Sequence, residues 1–212
     1  VFKLDIDGWN QSFGDGGIKI PTVTLLNALT GRGKTDTALR IVRGVCKCND
    51  AHTFLRDKTK KPLIFIITME NTMNDIITNL YHDFLGEEEG LARPQVDSEV
   101  AHEYLRNTLL KRGWHLQVIF AKKKTLDCAQ IEMALRFLER EGYELKLCIL
   151  DYLQLLDYGS PAKSGKLDTQ LIKDCAGELE GMIKGDRKAS LITMAQLNPR
   201  LKEFIGTCPD FA

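Results

Sequence analysis

A chain of 212 residues is long enough for one α/β domain with a well-buried sheet and too short for two large ones. Lys+Arg and Asp+Glu both number 29, so there is no bulk electrostatic footprint for nucleic acid or an anionic membrane, and any nucleic-acid contact has to be local. The longest apolar runs are strand-sized and no basic-then-apolar leader opens the chain, so the expectation is a soluble, intracellular protein with no membrane partner.

Residues Phe2 to Ile20 mix a few apolar side chains with glycines and end at Pro21, so they are expected to wrap over the sheet as a lead-in. Thr22 to Asn27 is the first strand. The stretch from about Gly33 to Cys48 carries Leu39, Ile41, Val42 and Val45 on one helical face. Leu63 to Thr68, a continuous apolar run too short for a helix, predicts a strand buried on both faces. Thr72 followed by Asp75 resembles a capping box, and Ile76, Ile77, Leu80, Tyr81 and Phe84 form the stripe of the helix it opens.

Glu87-Glu88-Glu89 reads as a solvated turn. A helix over Ser98 to Lys111 stops at Gly113, and His115 to Phe120 is a third strand. Lys122-Lys123-Lys124 reads either as a phosphate-contacting patch or as a solvated loop. The helix that follows, from about Leu126 to Glu141, buries Ile131, Leu135 and Leu138. Leu145 to Leu150 is the fourth strand, ending at Asp151. After a loop from Asp157 to Leu167, a helix with Leu171, Ile172, Cys175, Leu179 and Met182 leads to a fifth strand, Ala189 to Ala195. Strands alternating with helices imply an α/β fold with a mainly parallel central sheet and helices on both faces, binding ligands at the carboxyl ends of its strands.

Of the six cysteines, Cys128, Cys148 and Cys175 fall within apolar patterns and read as small buried hydrophobes. Cys46-Lys47-Cys48 is open to a metal-touching reading or to one as incidental thiols. No paired CxxC spacing suggests zinc.

The chemistry centres on Ala28 to Thr35, ALTGRGKT, between the first strand and its helix. That is the context of a phosphate-binding P-loop, G-x-x-x-x-G-K-[ST], here with Ala28 at the first position. The plain alternative is a glycine-rich turn with an incidental Lys-Thr. In the P-loop reading Ala28, Leu29, Thr30, Gly31, Arg32 and Gly33 surround the phosphates, with Lys34, Thr35 and Asp36 at the helix start. Gly31 and Gly33 let backbone N–H groups approach a polyphosphate, and the helix N-terminus adds roughly half a unit of positive charge. Lys34 reaches the β- and γ-phosphates and the Thr35 hydroxyl ligates Mg²⁺. Arg32 has a simple solvated alternative.

A hydrolytic NTPase also needs a carboxylate for Mg²⁺, one to orient water, and a group that feels the γ-phosphate. Asp151, after Leu147-Cys148-Ile149-Leu150, is the candidate for the metal, against the alternative of an ordinary turn-capping Asp. Tyr152 follows it, so the general base is not adjacent, and Glu70 after the second strand is the better candidate, against a helix-start carboxylate favoured by the dipole. Gln196 ends the fifth strand, where it would contact the γ-phosphate or the water.

ILDYLQLL (Ile149 to Leu156) and MAQLNPR (Met194 to Arg200) resemble the ATPase domain of DnaB-type replicative helicases, hexameric members of the RecA-like P-loop NTPases. The family's P-loop tolerates Ala at its first position, and its second strand ends similarly to Thr68-Met69-Glu70-Asn71. The resemblance covers most of residues 1–212 as one RecA-like helicase domain. It implies ATP or another NTP with Mg²⁺, bound by Lys34, Thr35 and Asp151. It further implies that Glu70 polarises water and that Gln196 couples the γ-phosphate to DNA. It implies 5′-to-3′ translocation on single-stranded DNA by a homohexameric ring, with Lys163, Lys166, Arg200 and Lys202 as nucleic-acid contacts. Primase and a helicase loader are the implied partners, in the cytoplasm of a bacterial cell or phage-infected host. A few Lys/Arg per subunit, repeated around a ring, need no large basic patch on the monomer.

The loop after Gln196 looks short for the family, as though a flexible segment were missing. The start at Val1 and the absence of the last strands read as a fragment without the N-terminal domain. The family's arginine finger, worth about 10³ to 10⁵ in rate, belongs to those last strands and has no candidate here. The rival readings are a RecA- or KaiC-like recombinase or switch ATPase that does not unwind, and a nucleotide-binding remnant without turnover.

Overall fold

The computed structural model describes residues 1–6, 8–13, 16–28, 33–85, 95–159 and 167–196, with Ala28 and Gln196 described by their main chain. Its strands are β1 (Val23–Ala28), β2 (Lys61–Thr68), β3 (His115–Phe120), β4 (Tyr143–Asp151) and β5 (Ser190–Gln196). Every pairing is parallel and the order is β1-β5-β4-β2-β3. The helices are α1 (Trp9–Ser12), α2 (Lys34–Cys48), α3 (Met73–Leu85), α4 (Ser98–Lys111), α5 (Cys128–Arg140) and α6 (Asp168–Glu180), the last continued by a π-helical turn over Gly181–Asp186.

The period-2 alternation of strand side chains divides the core into two layers. Ile64, Ile66, Leu147, Ile149, Ile192 and Met194 face one layer, with Leu39, Ile41 and Val42 of α2, Ile76 and Leu80 of α3, and Leu105 and Leu109 of α4. Leu63, Phe65, Ile67, Cys148, Leu150 and Leu191 face the other, with Ile131 and Leu135 of α5 and Cys175 and Leu179 of α6. Helix α3 opens with reciprocal bonds between Thr72 and Asp75, the Asp75 N–H donating to Thr72 Oγ1 at 3.2 Å and the Thr72 N–H to Asp75 Oδ2 at 2.9 Å, as its sequence predicts.

The lead-in is tied down rather than loose. Phe2 and Ile18 form an antiparallel bridge, and Phe2 packs against Phe54 and the fully buried Trp114. A Cβ on Gly17 would lie 2.1 Å from the Phe2 carbonyl oxygen, so that close approach requires glycine. The three buried cysteines are as expected, and Cys46 joins them. Cys48 is exposed while Cys46 is buried, so Cys46-Lys47-Cys48 does not present a thiol pair to one metal; residues two apart on a helix point different ways.

At the end of the sheet remote from the strand carboxyl termini, the β2–β4 register steps from Leu63↔Leu145 to Ile64↔Leu147, leaving Lys146 as the extra residue of a bulge. Its ammonium is buried against Glu144, which also accepts from the N–H groups of Arg56 and Asp57, each at 3.1 Å. Burial pushes the Glu144 carboxyl up, but the Lys146 bond and those two N–H donors outweigh it and hold the pKa at about 2. A carboxyl depressed on folding contributes stability above its unfolded pKa, and that contribution is lost as pH falls from about 4.3 toward about 2. Glu144→Gln is therefore expected to lower the midpoint of thermal unfolding at pH 7 and to flatten its decline over that acid window. A variant whose acid profile parallels the parent would contradict this assignment.

Candidate nucleotide site

Because β1, β2, β4 and β5 run parallel, their carboxyl ends lie along one edge of the sheet. Ala28 pairs with Gln196, Thr68 pairs with both Asp151 and Phe120, and Leu150 pairs with Thr193, so β2, β3 and β4 end level while β1 and β5 run two residues further. Gly33, immediately before α2, has φ +69, a left-handed conformation that favours glycine over any residue with a Cβ. Lys34 and Thr35 are thereby the first two residues of α2, with Asp36 in its first turn. Leu29, Thr30, Gly31 and Arg32 lie outside the described residues, as do Lys163, Lys166, Arg200 and Lys202.

The Thr35 hydroxyl donates to Asp151 Oδ2 at 2.8 Å, joining the start of α2 to the end of β4. Asp151 is 2 % exposed. Burial raises its pKa, the Thr35 hydrogen bond lowers it, the Glu70 charge raises it again, and Lys34 and a bond with Asn71 lower it; the net shift is upward. The main chain around it is knitted to β2, with the Met69 N–H donating to the Asp151 carbonyl at 3.0 Å. The Asp151–Tyr152 peptide is cis. A hydroxyl and a carboxylate are the hard oxygen donors that suit Mg²⁺, which takes one or two carboxylates and fills its remaining positions with water and phosphate oxygen. Thr35 and Asp151 fit that ion. Among the described residues no group of three or more His, Cys, Asp or Glu offers a metal cage of the protein's own.

A carboxyl whose pKa is raised on folding stabilises the fold only below its unfolded pKa, and that contribution is lost as pH rises through the folded value. In its ionised form Asp151 thus carries a stability cost, as groups held for function often do. Asp151→Asn, melted without nucleotide or metal at pH 7, is expected to show a Tm unchanged or a few degrees higher. A clear fall in Tm would overturn this electrostatic account.

Glu70, two residues past β2, does not stand alone. Lys123 Nζ donates to its Oε1 at 2.9 Å, and the Tyr152 hydroxyl is a second hydrogen-bond partner. That Glu70 bond raises the Lys123 pKa, while burial, followed by the Glu70 charge, raises that of Tyr152. All three residues of the lysine run are exposed, as the solvated-loop reading expects, but Lys123 and Lys124 also hold specific partners. Lys124, at φ 60, donates to the Leu156 carbonyl at 3.0 Å and sits 3.4 Å over the Tyr158 ring, clamping the segment after β4. Lys123, Tyr152 and Asn71 are the site residues that sequence reasoning missed. The signal for Lys123 was its position just beyond β3, but its partner follows only from the β2–β3 register. A cavity of about 950 Å³ between α4 and the β3 edge is lined by residues such as Glu99, Arg106 and Trp114 and lies apart from the strand-end cluster.

A parallel five-stranded sheet covered on both faces, with a Lys-Thr helix start and a strand-end Asp in contact, is a RecA-like ATPase fold. Two solved structures have this architecture: one described as an ATPase domain (TM-score 0.61, 17% identity, covering 100% of this chain and 69% of that one), the other as a DnaB-like replicative helicase and its interactions with primase (TM-score 0.63, 16% identity, 98% and 46%). The profile of the divergent DnaB-like ATPases matches residues 1–210, and the chain belongs to that family. No curated protein sequence matches it. Among the described residues no helix is long and apolar enough to cross a membrane.

Proposed function

We propose that this chain is the motor domain of a hexameric, ATP-dependent 5′-to-3′ DNA helicase, converting NTP hydrolysis into translocation on single-stranded DNA. The observation that carries the reading is the 2.8 Å bond from Thr35 to Asp151, which unites the helix start after the P-loop with the acidic strand end. In this reading Lys34 neutralises the β- and γ-phosphates. Thr35 and Asp151 hold Mg²⁺, which supplies charge neutralisation when bound. Glu70 orients water and accepts its proton, and Gln196 reports the γ-phosphate to the segment beyond β5. Lys163, Lys166, Arg200 and Lys202 meet the DNA backbone. Family membership supports nucleotide hydrolysis. The neighbour described with primase supports primase as a partner, and the cytoplasm of a bacterial or phage-infected cell fits such a motor.

The Lys123–Glu70 pair adds a constraint. Lys123 engages the carboxylate oxygen that would otherwise face the water, and an exposed pair of this kind (side chains 56% and 40% exposed) is weak enough to open. Lys123→Ala is expected to raise phosphate release in the absence of DNA roughly 2- to 5-fold, with Lys123→Arg close to the parent. A rate unchanged or lower in the alanine variant would show that the pair does not restrain Glu70.

Strand separation on a forked duplex, measured together with the mass of the complex formed with nucleotide and single-stranded DNA, tests the whole reading. A hexamer that unwinds the fork supports it. Nucleotide hydrolysis with no unwinding would replace it with a recombinase-like or switch ATPase.

A further inference from the structure

Cys128 and Cys175 are far apart in sequence and come from different helices, yet their sulfur atoms are 3.2 Å apart in the layer beneath α5 and α6. That is inside ordinary sulfur–sulfur contact and about 1.2 Å short of closure, since a disulfide spans about 2.05 Å. Cys128 is the first residue of α5, behind the Asp127 cap, and Cys175 lies mid-way along α6, so both are carried by regular main chain. Both residues line a surface cavity of about 420 Å³, with Asp127, Tyr158, Asp174 and Glu178 around them, which gives a small reagent a route to otherwise buried thiols. The other described cysteines differ: Cys46 and Cys148 are buried and Cys48 is exposed, and none of the three has a described thiol contact.

We infer that Cys128 and Cys175 form an oxidisable dithiol, a modification site at which peroxide or a low-molecular-weight disulfide converts the pair to a disulfide bridging α5 and α6. Two thiolates alone do not complete a zinc site, and no third ligand joins them among the described residues. The two sulfurs share a hydrogen bond in which either can be the donor, so either can be the attacking thiolate. With hydrogen peroxide, the sulfur of the deprotonated cysteine attacks one oxygen and the O–O bond breaks, leaving a sulfenic acid and hydroxide, which takes up a proton. The thiol of the other cysteine then gives up its proton as its sulfur displaces the sulfenic hydroxyl. The sum is two thiols and one peroxide giving one disulfide and two waters. The bridge closes a loop that contains β4 and Asp151, so the oxidised fold resists unfolding more than the reduced one.

The test treats the folded chain with hydrogen peroxide, blocks remaining thiols, and maps disulfides in a non-reducing digest. The expected result is a Cys128–Cys175 linked peptide, loss of two hydrogens from the intact mass, a Tm raised by several degrees, and full reversal by dithiothreitol. Cys48→Ser should leave the link unchanged and Cys175→Ser should remove it. Oxygen addition at single cysteines without the link, links through other cysteines instead, or unchanged free thiols would overturn the proposal; the unsubstituted chain alone decides it if a variant fails to fold.

Discussion

Lys34→Ala is expected to abolish nucleotide hydrolysis, DNA-stimulated turnover included. Lys34 is the first residue of α2, set there by the left-handed turn at Gly33, so its ammonium projects from the helix end that already favours anions. Charge that builds on the phosphates during transfer is stabilised there by fixed groups, and removing one such group costs about 10²- to 10³-fold in rate. Alanine also removes a positive charge that counteracts the raised Asp151 pKa, so the Asp151 carboxylate is affected as well. Steady-state phosphate release with saturating nucleotide measures this. Normal turnover in the variant would remove the strand-end cluster from consideration as the hydrolytic site.

Glu70→Gln is expected to lower turnover about 10²- to 10⁴-fold while leaving nucleotide affinity nearly unchanged. Glutamine keeps the shape and hydrogen-bonding reach of the side chain but cannot take a proton from water. Its neighbours make the substitution informative. Lys123 and Tyr152 both donate to Glu70, and Gln can still accept one of those bonds through its carbonyl oxygen, so a structural loss of the pair is separated from the loss of basicity. Phosphate release and fluorescent-nucleotide binding, measured side by side, check it. Equal loss of binding and turnover would assign Glu70 to holding the site together instead.

The elements of this fold were legible because each is written locally. Leu63 to Thr68 and Leu145 to Leu150 are unbroken apolar runs of strand length, or nearly so, and both strands are buried on both faces. Thr72 and Asp75 announce a helix start, and Ser98–Lys111 and His115–Phe120 fall at the predicted bounds. The strand order was not legible, since the placing of β5 between β1 and β4 depends on packing between segments far apart in the chain. Site residues at strand ends, Glu70 and Asp151, could be read from where apolar runs stop. Lys123 could not be paired with Glu70, because that contact needs the register Thr68↔Phe120, which brings the positions two and three residues further on together. Likewise Asn71 reaches Asp151 only because Thr68 pairs with Asp151 across β2 and β4. Lys146 escaped notice for a related reason. An apolar run interrupted by one lysine looks like ordinary alternation until the bulge shows it to be an inserted, buried residue.

The most direct measurement for the central claim, that the ends of β1, β2, β4 and β5 form one nucleotide-hydrolysing site, is phosphate release by the unsubstituted protein. It is followed with and without Mg²⁺ and across a titration of single-stranded DNA. The expected result is release that requires Mg²⁺ and accelerates as DNA is added. Tight nucleotide binding with no Mg²⁺-dependent release at any DNA concentration would contradict it and leave a binding domain without turnover.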